Sequence, residues 1–573
     1  MIKKLEIMKL LNWKLALLLI VLLAGFLRFY NLGTNPPSLT WDEAAWGYNA
    51  YSLGVNGKDE FGRFLPHDYL ESFGDFKPPM YAYLDAIPVK LLGLNEFSTR
   101  FPSALFGILT VFLTFFLVRR IFWRSKENES TQNTKYKILN TNALALTSAL
   151  FLAISPWHIM LSRAAFEANV ATFFLVLGVW GFLAAVQDRK WYLVISAISF
   201  AFSMYTFNTS RVVAPLLVIL LLVAFRKKLL LIKKEAIVAF IVGLIIFLPT
   251  FKFLLSPQAG SRFQEVNIFS DITILKTANQ EIANDNNSVF SKIIHNRRFV
   301  YSQEYLKHYF DNLSPSFLFI KGDGNPKFST QDVGQMYIWD IVFFVGGVLL
   351  LVRKKEGNWW LIPLWLLLGI IPAATARETP HALRIETTLP MFQIFAAYGF
   401  VSFLTWVKKL DLRFKTYDLR RLSYVLILMS YVLLFLNFVY FYHNYLFHYP
   451  SQFSGEWQYG YKQSIDYVKS VENNYDYIQV SNVLGRPYIY YLFYTKTDPN
   501  YFRQTAVVKR DIFGFVDVES FGKYIFPQKF NYLLSSNKKV LYINASNSVP
   551  NNAKVLKRFY LLNGKEVLTA YTI

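Results

Sequence analysis

Long apolar runs separated by short basic clusters fill the chain up to about residue 445. A helix rises 1.5 Å per residue, so crossing about 30 Å of hydrocarbon takes about 20 predominantly apolar residues. On that basis the pattern predicts about eleven spans, at residues 11–30, 99–121, 141–157, 168–187, 191–207, 211–226, 235–255, 336–353, 359–375, 383–406 and 422–444. Between Pro79 and Thr99 the run MYAYLDAIPVKLLGLNEFS is apolar but short. Asp85, Pro88 and Lys90 interrupt it, which suits a helix lying in the membrane interface. Residues 256–335 are too long for a plain connector; this stretch carries Arg262, His295, Arg297, Arg298 and His308, and loops of this kind either bind or close over something or are partly disordered. After Tyr449 the period changes. Residues 457–474 read as an amphipathic helix, 477–481 and 540–543 as strands, and Asn563-Gly564 as a two-residue hairpin turn. The expected architecture is mainly α, a polytopic membrane protein with long external loops. It comprises a transmembrane domain over 1–445, with a first external loop at 31–98 and a second at 256–335, and a small external α/β domain over 446–573.

Composition sharpens this reading. The chain has 573 residues, 54% hydrophobic and 18% aromatic, too apolar for a soluble enzyme of this size. The net charge of +22 invites a nucleic-acid reading. Its Lys and Arg, however, gather between apolar runs rather than along one face, so no nucleic acid is expected. The clusters are Lys3, Lys4 and Lys9; Arg119, Arg120, Arg124 and Lys126; Arg189 and Lys190; Arg226, Lys227, Lys228, Lys233 and Lys234; Arg353, Lys354 and Lys355; and Lys408, Lys409, Arg413, Arg420 and Arg421. The positive-inside rule makes these segments cytoplasmic. The N-terminus is then cytoplasmic and, with an odd number of spans, the C-terminus external, in a multi-pass protein of the cytoplasmic membrane. No small-residue cleavage site follows Phe29, so the first span is expected to be retained. The absence of cysteine excludes disulfides, thiolate metal sites and a Cys nucleophile.

Candidate chemistry concentrates at the external ends of the spans. Residues 41–79, WDEAAWGYNAYSLGVNGKDEFGRFLPHDYLESFGDFKPP, hold the acid pair Asp42 and Glu43, then Asp59 and Glu60, then Asp75 shortly before Lys77 and the double proline. Arg163 and Glu167 lie between the third and fourth spans; Arg377, Glu378, His381 and Arg384 lie between the ninth and tenth. Charged groups at membrane depth are costly unless they face a cavity or a partner. Carboxylates and cations from separate loops converging on one cavity suit a reaction in which a carboxylate takes a proton from a hydroxyl while cations hold an anionic leaving group. Phosphate is the expected anion. No glycine-rich phosphate loop follows a strand, which leaves a sugar on a polyprenyl phosphate, delivered within the membrane, as the expected donor.

The stretches WDEAAWGYNAYS, GDFKPPMYAYL and NEFSTRFPSALFGILTVFLTFFLVRRIF together resemble the GT-C membrane glycosyltransferases, in particular the dolichyl-phosphate-mannose protein mannosyltransferase and aminoarabinose transferase group. The resemblance is strong over about the first two hundred residues and loose over the remaining transmembrane part. It implies that Asp42 is the general base and Glu43 its support, that Lys77 contacts the lipid phosphate, and that Glu167 stands where relatives carry a second acid, although the local motif departs to F-E-A-N. By position and chemistry, Arg163, His381 and Arg384 are expected to contact phosphate or acceptor, with two alternatives: Arg163 as a structural ion pair with Glu167, and His381 as a cap on the tenth span. Trp41 and Trp46 are the aromatics expected to contact sugar. Asp42, Glu43 and Glu167 are also chemically suited to a divalent cation. The relatives argue against a required metal, so no cofactor is expected. The expected partners are the polyprenyl-phosphate donor, membrane lipids, and an acceptor that is a glycan, lipid or protein; inversion at the anomeric carbon is the mechanism the resemblance suggests. A transporter or flippase of lipid-linked sugars is the alternative, since charges inside a bundle also mark transport paths. The gathering of charge at one face and the lack of an internal repeat favour the enzyme.

Overall fold

The computed structural model describes residues 13–123, 140–256, 259–260, 267–413, 417–510, 516–532 and 538–573, with side chains at 410–423 left out of the description. Lys3, Lys4, Lys9, Arg124, Lys126 and Arg262 therefore lie outside the described residues, as do the side chains of Arg413, Arg420 and Arg421.

Each stretch expected to span the membrane contains a helix: α1 (Trp13–Phe29), α4 (Glu96–Ile121), α5 (Thr141–Ile154), α7 (Glu167–Gln187), α8 (Tyr192–Met204), α9 (Ser210–Ala224), α10 (Lys233–Leu254), α14 (Asp340–Lys354), α15 (Leu361–Ile370), α16 (Met391–Arg413) and α17 (Tyr417–His443). Among the described residues, five helices are long and apolar enough to cross alone: Glu96–Ile121, Glu167–Gln187, Arg226–Leu254, Met391–Lys409 and Tyr424–Phe453. The pair α5 and α6 (Pro156–Arg163) passes the same test of length and apolarity together, although it bends by 56° at its break. Pro156 cannot continue the helix because it lacks an N–H, and Ser155 caps the new one by accepting from the His158 N–H. Helices such as α8, with 13 residues, cover only about 20 Å.

The two long loops are not loops throughout. Residues 31–98 contain α2 (Trp41–Asn56), the hairpin β1 (Leu70–Ser72) and β2 (Asp75–Lys77), and α3 (Met80–Leu92). Thr40 and Glu43 form a reciprocal capping box that starts α2, and Gly57 ends it in the left-handed region at φ 70°. The T-W-D-E spacing was a helix-start signal hidden by the density of charge that followed it. α3 buries Tyr81, Ala82, Asp85 and Val89 and exposes Ile87, Leu91 and Leu92, so it is two-sided as an interfacial helix must be. Residues 256–335 contain α11 (Ile272–Asn284), α12 (Val289–Ile294) and α13 (Arg297–Asp311).

Beyond α17, the helix α18 (Tyr461–Val471) leads into a seven-stranded sheet in the order β4-β5-β6-β3-β7-β9-β8. Its strands are β3 (Tyr477–Val480), β4 (Val507–Arg510), β5 (Val516–Phe521), β6 (Tyr524–Ile525), β7 (Val540–Ala545), β8 (Lys554–Tyr560) and β9 (Glu566–Thr572). Among the described residues, β3 pairs in parallel with β6 and β7 and the other pairings are antiparallel; Asn563 and Gly564 sit in the β8–β9 hairpin. After β3 comes α19 (Pro487–Thr495). Its Tyr488 to Phe493 share one apolar core with Leu39, Ala44, Ala45 and Tyr48 on and before α2. Two tyrosines lock the contact: Tyr48 donates to the Thr497 carbonyl (3.1 Å) and Tyr490 to the Leu39 carbonyl (3.1 Å). The sheet domain thus forms the back support of α2.

Within the bundle, α14 and α16 cross at glycines. A Cβ on Gly347 would lie 1.9 Å from the Phe395 carbonyl oxygen, and one on Gly399 1.9 Å from that of Phe343, whereas a Cβ on Gly346 meets nothing within 4 Å. Small residues let backbones approach this closely in membrane helices. Gly347→Ala must force the helices apart and is expected to destabilise the protein by about 3 kcal/mol, while Gly346→Ala stays within about 0.5 kcal/mol of the parent. Unfolding midpoints in detergent check this; equal shifts in the two variants would refute the crossing.

Candidate active site

The site is built at the N-terminal end of α2. Glu43 is fully buried, and four donors satisfy it: its Oε1 accepts from Arg100 Nε (2.8 Å) and the Ala165 N–H (3.0 Å), and its Oε2 from the Thr40 N–H (2.9 Å) and Arg100 Nη2 (3.4 Å). Arg100, on α4 and equally buried, also donates to the carbonyls of Leu32, Pro36 and Ser38. One ion pair therefore ties together the end of the α1–α2 connection, α2 itself, α4 and the turn before α7.

The neighbouring acid has the opposite environment. The Asp42 side chain is 48% exposed and accepts a close hydrogen bond from Lys77 Nζ, whose side chain is only 9% exposed. Lys77 is held by the β1–β2 hairpin, turning through Phe73 (φ 60°) and Gly74 (φ 79°), and the prolines after it prevent helix from starting before Met80. Its ammonium lies 5.3 Å from the Trp46 ring centre and 5.5 Å from that of Phe73. Burial pulls the Lys77 ammonium down, but Asp42, Asp75 and Glu167 together outweigh it and hold the group above its ordinary value, so it stays charged.

Glu167 opens α7 and lies within electrostatic reach of Lys77, Asp42 and Asp75. Its place in the first turn also puts a carboxylate at the positive end of the helix dipole. The structure thus brings Asp42, Lys77 and Glu167 together. Trp46 is buried against Tyr81 (5.5 Å) and forms the wall behind Lys77 rather than a sugar platform, because no face of its ring is open. Trp41 is half-buried, with Lys327 4.9 Å from its ring centre.

Arg163 does not join this group, nor does it pair with Glu167. It is fully buried and donates to the carbonyls of Leu27 (2.8 Å), Arg28 (3.2 Å) and Asn35 (2.8 Å) and to the Tyr445 hydroxyl (3.2 Å). These carbonyls lie at and beyond the end of α1, where intrahelical donors run out, and the guanidinium supplies them. His381 and Arg384 belong to a neighbouring cluster. The His381 ring packs on Phe328 (4.9 Å) and its backbone N–H donates to Asn312, while Arg384 donates to the Glu378 carbonyl. Burial, helped by Arg384, lowers the imidazole to about 3, so His381 is neutral and is no phosphate cation. Within the same loop it is Glu386, fully buried, that lies in electrostatic reach of Glu167.

Sequence reasoning missed Lys327, Arg211 and Glu386 as neighbours of the site. Lys327 is within reach of Asp42 and Glu43, and Arg211 of Asp75. Arg211 at the head of α9 had the signal of any charge at the end of a span; Lys327 and Glu386 had none apart from their type.

The chain is similar to known proteins in ways that bear on this arrangement. The model of the dolichyl-phosphate-mannose-protein mannosyltransferase family matches residues 76–126 and 135–253. An uncharacterized protein of Aquifex aeolicus (strain VF5) is 30% identical over 201 residues, 35% of this chain and 35% of the relative, so the chain matches about a third of that relative's length. Among solved structures, ArnT from Cupriavidus metallidurans in the apo state aligns with a TM-score of 0.52 over 96% of this chain and 97% of that one, at 13% identity. The same protein bound to undecaprenyl phosphate gives 0.51 over the same shares, at 12% identity. The likeness in fold to ArnT thus runs along nearly the whole chain.

Two stability tests follow from the geometry. Glu43→Ala leaves Arg100 charged, buried and short of its carboxylate, and is expected to cost about 3–5 kcal/mol; Asp42→Asn, which leaves the buried Lys77 an amide oxygen to donate to and Asp75 and Glu167 nearby, is expected to cost less, about 1–2 kcal/mol. Denaturation of both in the same detergent checks the split. The second concerns Asp323, which accepts from the N–H groups of Ala382 (2.6 Å) and Asn325 (2.8 Å). Burial raises its carboxyl from 3.8 to about 6 despite those bonds. The folded state then binds the proton more tightly than the unfolded one, so stability is expected to fall as pH rises from about 4 to about 6 and to level off above that. Asp323→Asn should flatten this part of the profile, and an unchanged slope would remove the assignment.

Proposed function

We propose that this chain, whose fold is that of the GT-C membrane glycosyltransferases, transfers a sugar from a polyprenyl-phosphate donor to an acceptor hydroxyl at the outer face of the cytoplasmic membrane, with inversion at the anomeric carbon. The observation that carries this reading is the Asp42–Lys77 pair, a half-exposed carboxylate resting on a buried ammonium. In this mechanism Asp42 takes the proton of the acceptor hydroxyl, whose oxygen attacks the anomeric carbon. The bond from that carbon to the phosphate oxygen breaks, and the phosphate leaves with the electron pair, stabilised by Lys77. Without donor, Lys77 already has an anion, Asp42. A lipid phosphate competes for that ammonium, and its arrival frees Asp42 to turn to the acceptor. The base therefore becomes available only when the leaving group is in place.

The likeness to ArnT bound to undecaprenyl phosphate supports a lipid phosphate in this role. Alternating basic clusters support about eleven spans, an internal N-terminus and an external sheet domain. Glu167, in the field of Lys77, acts on the sugar or the acceptor. The transferred group is a hexosyl or pentosyl unit, and the acceptor is a glycan, lipid or protein hydroxyl.

Purified protein reconstituted with a panel of polyprenyl-phosphate sugars tests the reading. Asp42→Asn is expected to lower turnover by about 100- to 10,000-fold while donor binding is unchanged or tighter, since Lys77 has lost its competing carboxylate. Lys77→Ala is expected chiefly to raise the donor KM. Wild-type turnover in Asp42→Asn would overturn the base, and lipid crossing the bilayer without a glycosylated product would replace the enzyme with a transporter.

A further inference from the structure

The segment that carries α11 to α13 presents a surface the transfer chemistry does not use. α13 docks through one face. Tyr301 donates to the Asp271 carbonyl (3.2 Å), Tyr305 to that of Ile371 (3.3 Å), Tyr309 to that of Leu367 (2.8 Å), and His308 Nδ1 meets the Ala376 carbonyl (2.8 Å). The carbonyls of Leu367 and Ile371 mark the end of the apolar helix α15, so α13 lies across the C-terminal end of an apolar helix. Opposite the docked face, Phe299, Leu306 and Phe310 fall at spacings of seven and four, which puts them on one stripe, and all three are exposed. The preceding α12 adds Val289, Phe290 and Ile293, also exposed.

Beside this stripe is an open groove of about 1090 Å³ lined by Phe269, Arg297, Arg298, Tyr301, Tyr305 and Leu306. It is locally basic: the sequence from Lys292 to Arg298 holds Lys292, His295, Arg297 and Arg298 and no acid. His295 is tied to Glu281 (2.7 Å) and Lys307 to Glu304 (2.9 Å). Arg297 lies near the Tyr301 ring (5.8 Å), and among the described residues neither Arg297 nor Arg298 forms an ion pair.

We propose that this groove is a headgroup site for an anionic phospholipid of the outer leaflet, with Arg297 and Arg298 gripping the phosphodiester and Phe299, Leu306 and Phe310 lying among the acyl chains. The two halves of the surface match the two halves of such a lipid. Guanidinium forks pair with phosphate oxygens in a bidentate way, tyrosines favour the headgroup level, and the apolar stripe is unfavourable in water but not in hydrocarbon. A soluble anion would leave the stripe unused, and a zwitterionic lipid would set its own ammonium against the arginines. The proposal uses the membrane placement of the chain and is independent of the transfer reaction.

Native mass spectrometry of the full-length protein, delipidated in detergent and titrated with phosphatidylglycerol or phosphatidylcholine, tests it. One phosphatidylglycerol is expected to be held in preference to phosphatidylcholine. The Arg297→Gln, Arg298→Gln double variant, altered only at exposed positions, should bind phosphatidylglycerol about thirtyfold more weakly with phosphatidylcholine unchanged. Phe299→Ser with Phe310→Ser should weaken both lipids. Equal retention of the two lipids by the parent, unaltered preference in the arginine variant, displacement by glycerol 3-phosphate alone, or stoichiometric displacement by undecaprenyl phosphate would each overturn the assignment, the last two by giving the groove to a soluble phosphate or to the donor.

Discussion

Everything at the candidate site depends on the buried pair of Glu43 and Arg100. Removing two charges from water is costly, and the pair persists because each member is nearly saturated with hydrogen bonds. The partners that saturate it come from separate parts of the chain: Thr40 before α2, Ala165 before α7, and Leu32, Pro36 and Ser38 between α1 and α2. Fixing Glu43 fixes Asp42 one residue earlier, and fixing Ala165 fixes Glu167 two residues later. The acid pair thus divides its work between a buried anchor and an exposed reactant, and the anchor sets the distance between the two acids that face Lys77.

The same device recurs around it. Arg28 donates to the carbonyls of Ala24 and Ala153, and Arg163 to those of Leu27, Arg28 and Asn35, both from fully buried positions. Broken and ended helices leave carbonyls without partners, and in a membrane no water is there to supply them. A guanidinium, with five donors in a rigid fork, satisfies several at once. The break at Pro156 and the irregular backbone between α1 and α2 are therefore tolerated where they are, next to the site.

This explains what the sequence could and could not reveal. The apolar runs, the acid pair and the K-P-P element were legible, because period and composition report burial and backbone restriction directly. The role of each charge was not. Arg163 read as a charge near a span end, and Arg100 opens another helix, yet Arg100 closes a salt bridge while Arg163 only caps carbonyls and a hydroxyl; Asp42 and Glu43 are adjacent acids with opposite exposure. A charge at such a position says that it has a partner, not whether the partner is backbone, side chain or substrate. The helix Trp41–Asn56 was concealed for a related reason, since a low apolar content on a helix that packs against another domain imitates a loop.

That packing changes how the sheet domain is understood. Leu39, Ala44, Ala45 and Tyr48 share their core with Ile478, Tyr488, Ile489 and Leu492. The hairpin that holds Lys77 is tied to the same domain, through the Val516 N–H donating to the Phe73 carbonyl (3.2 Å) and through Arg510 pairing with Glu71. Asp42 is thus held from two sides, by the Glu43–Arg100 anchor within the bundle and by the sheet domain behind α2, whereas the hairpin that carries Lys77 leans on the sheet domain. A shift of the sheet domain relative to the helices would move Lys77 against the two acids, whose spacing the anchor fixes. The placement of Lys77 over Asp42 is therefore set by an interface between the two parts of the protein, and the sheet domain is a structural half of the site.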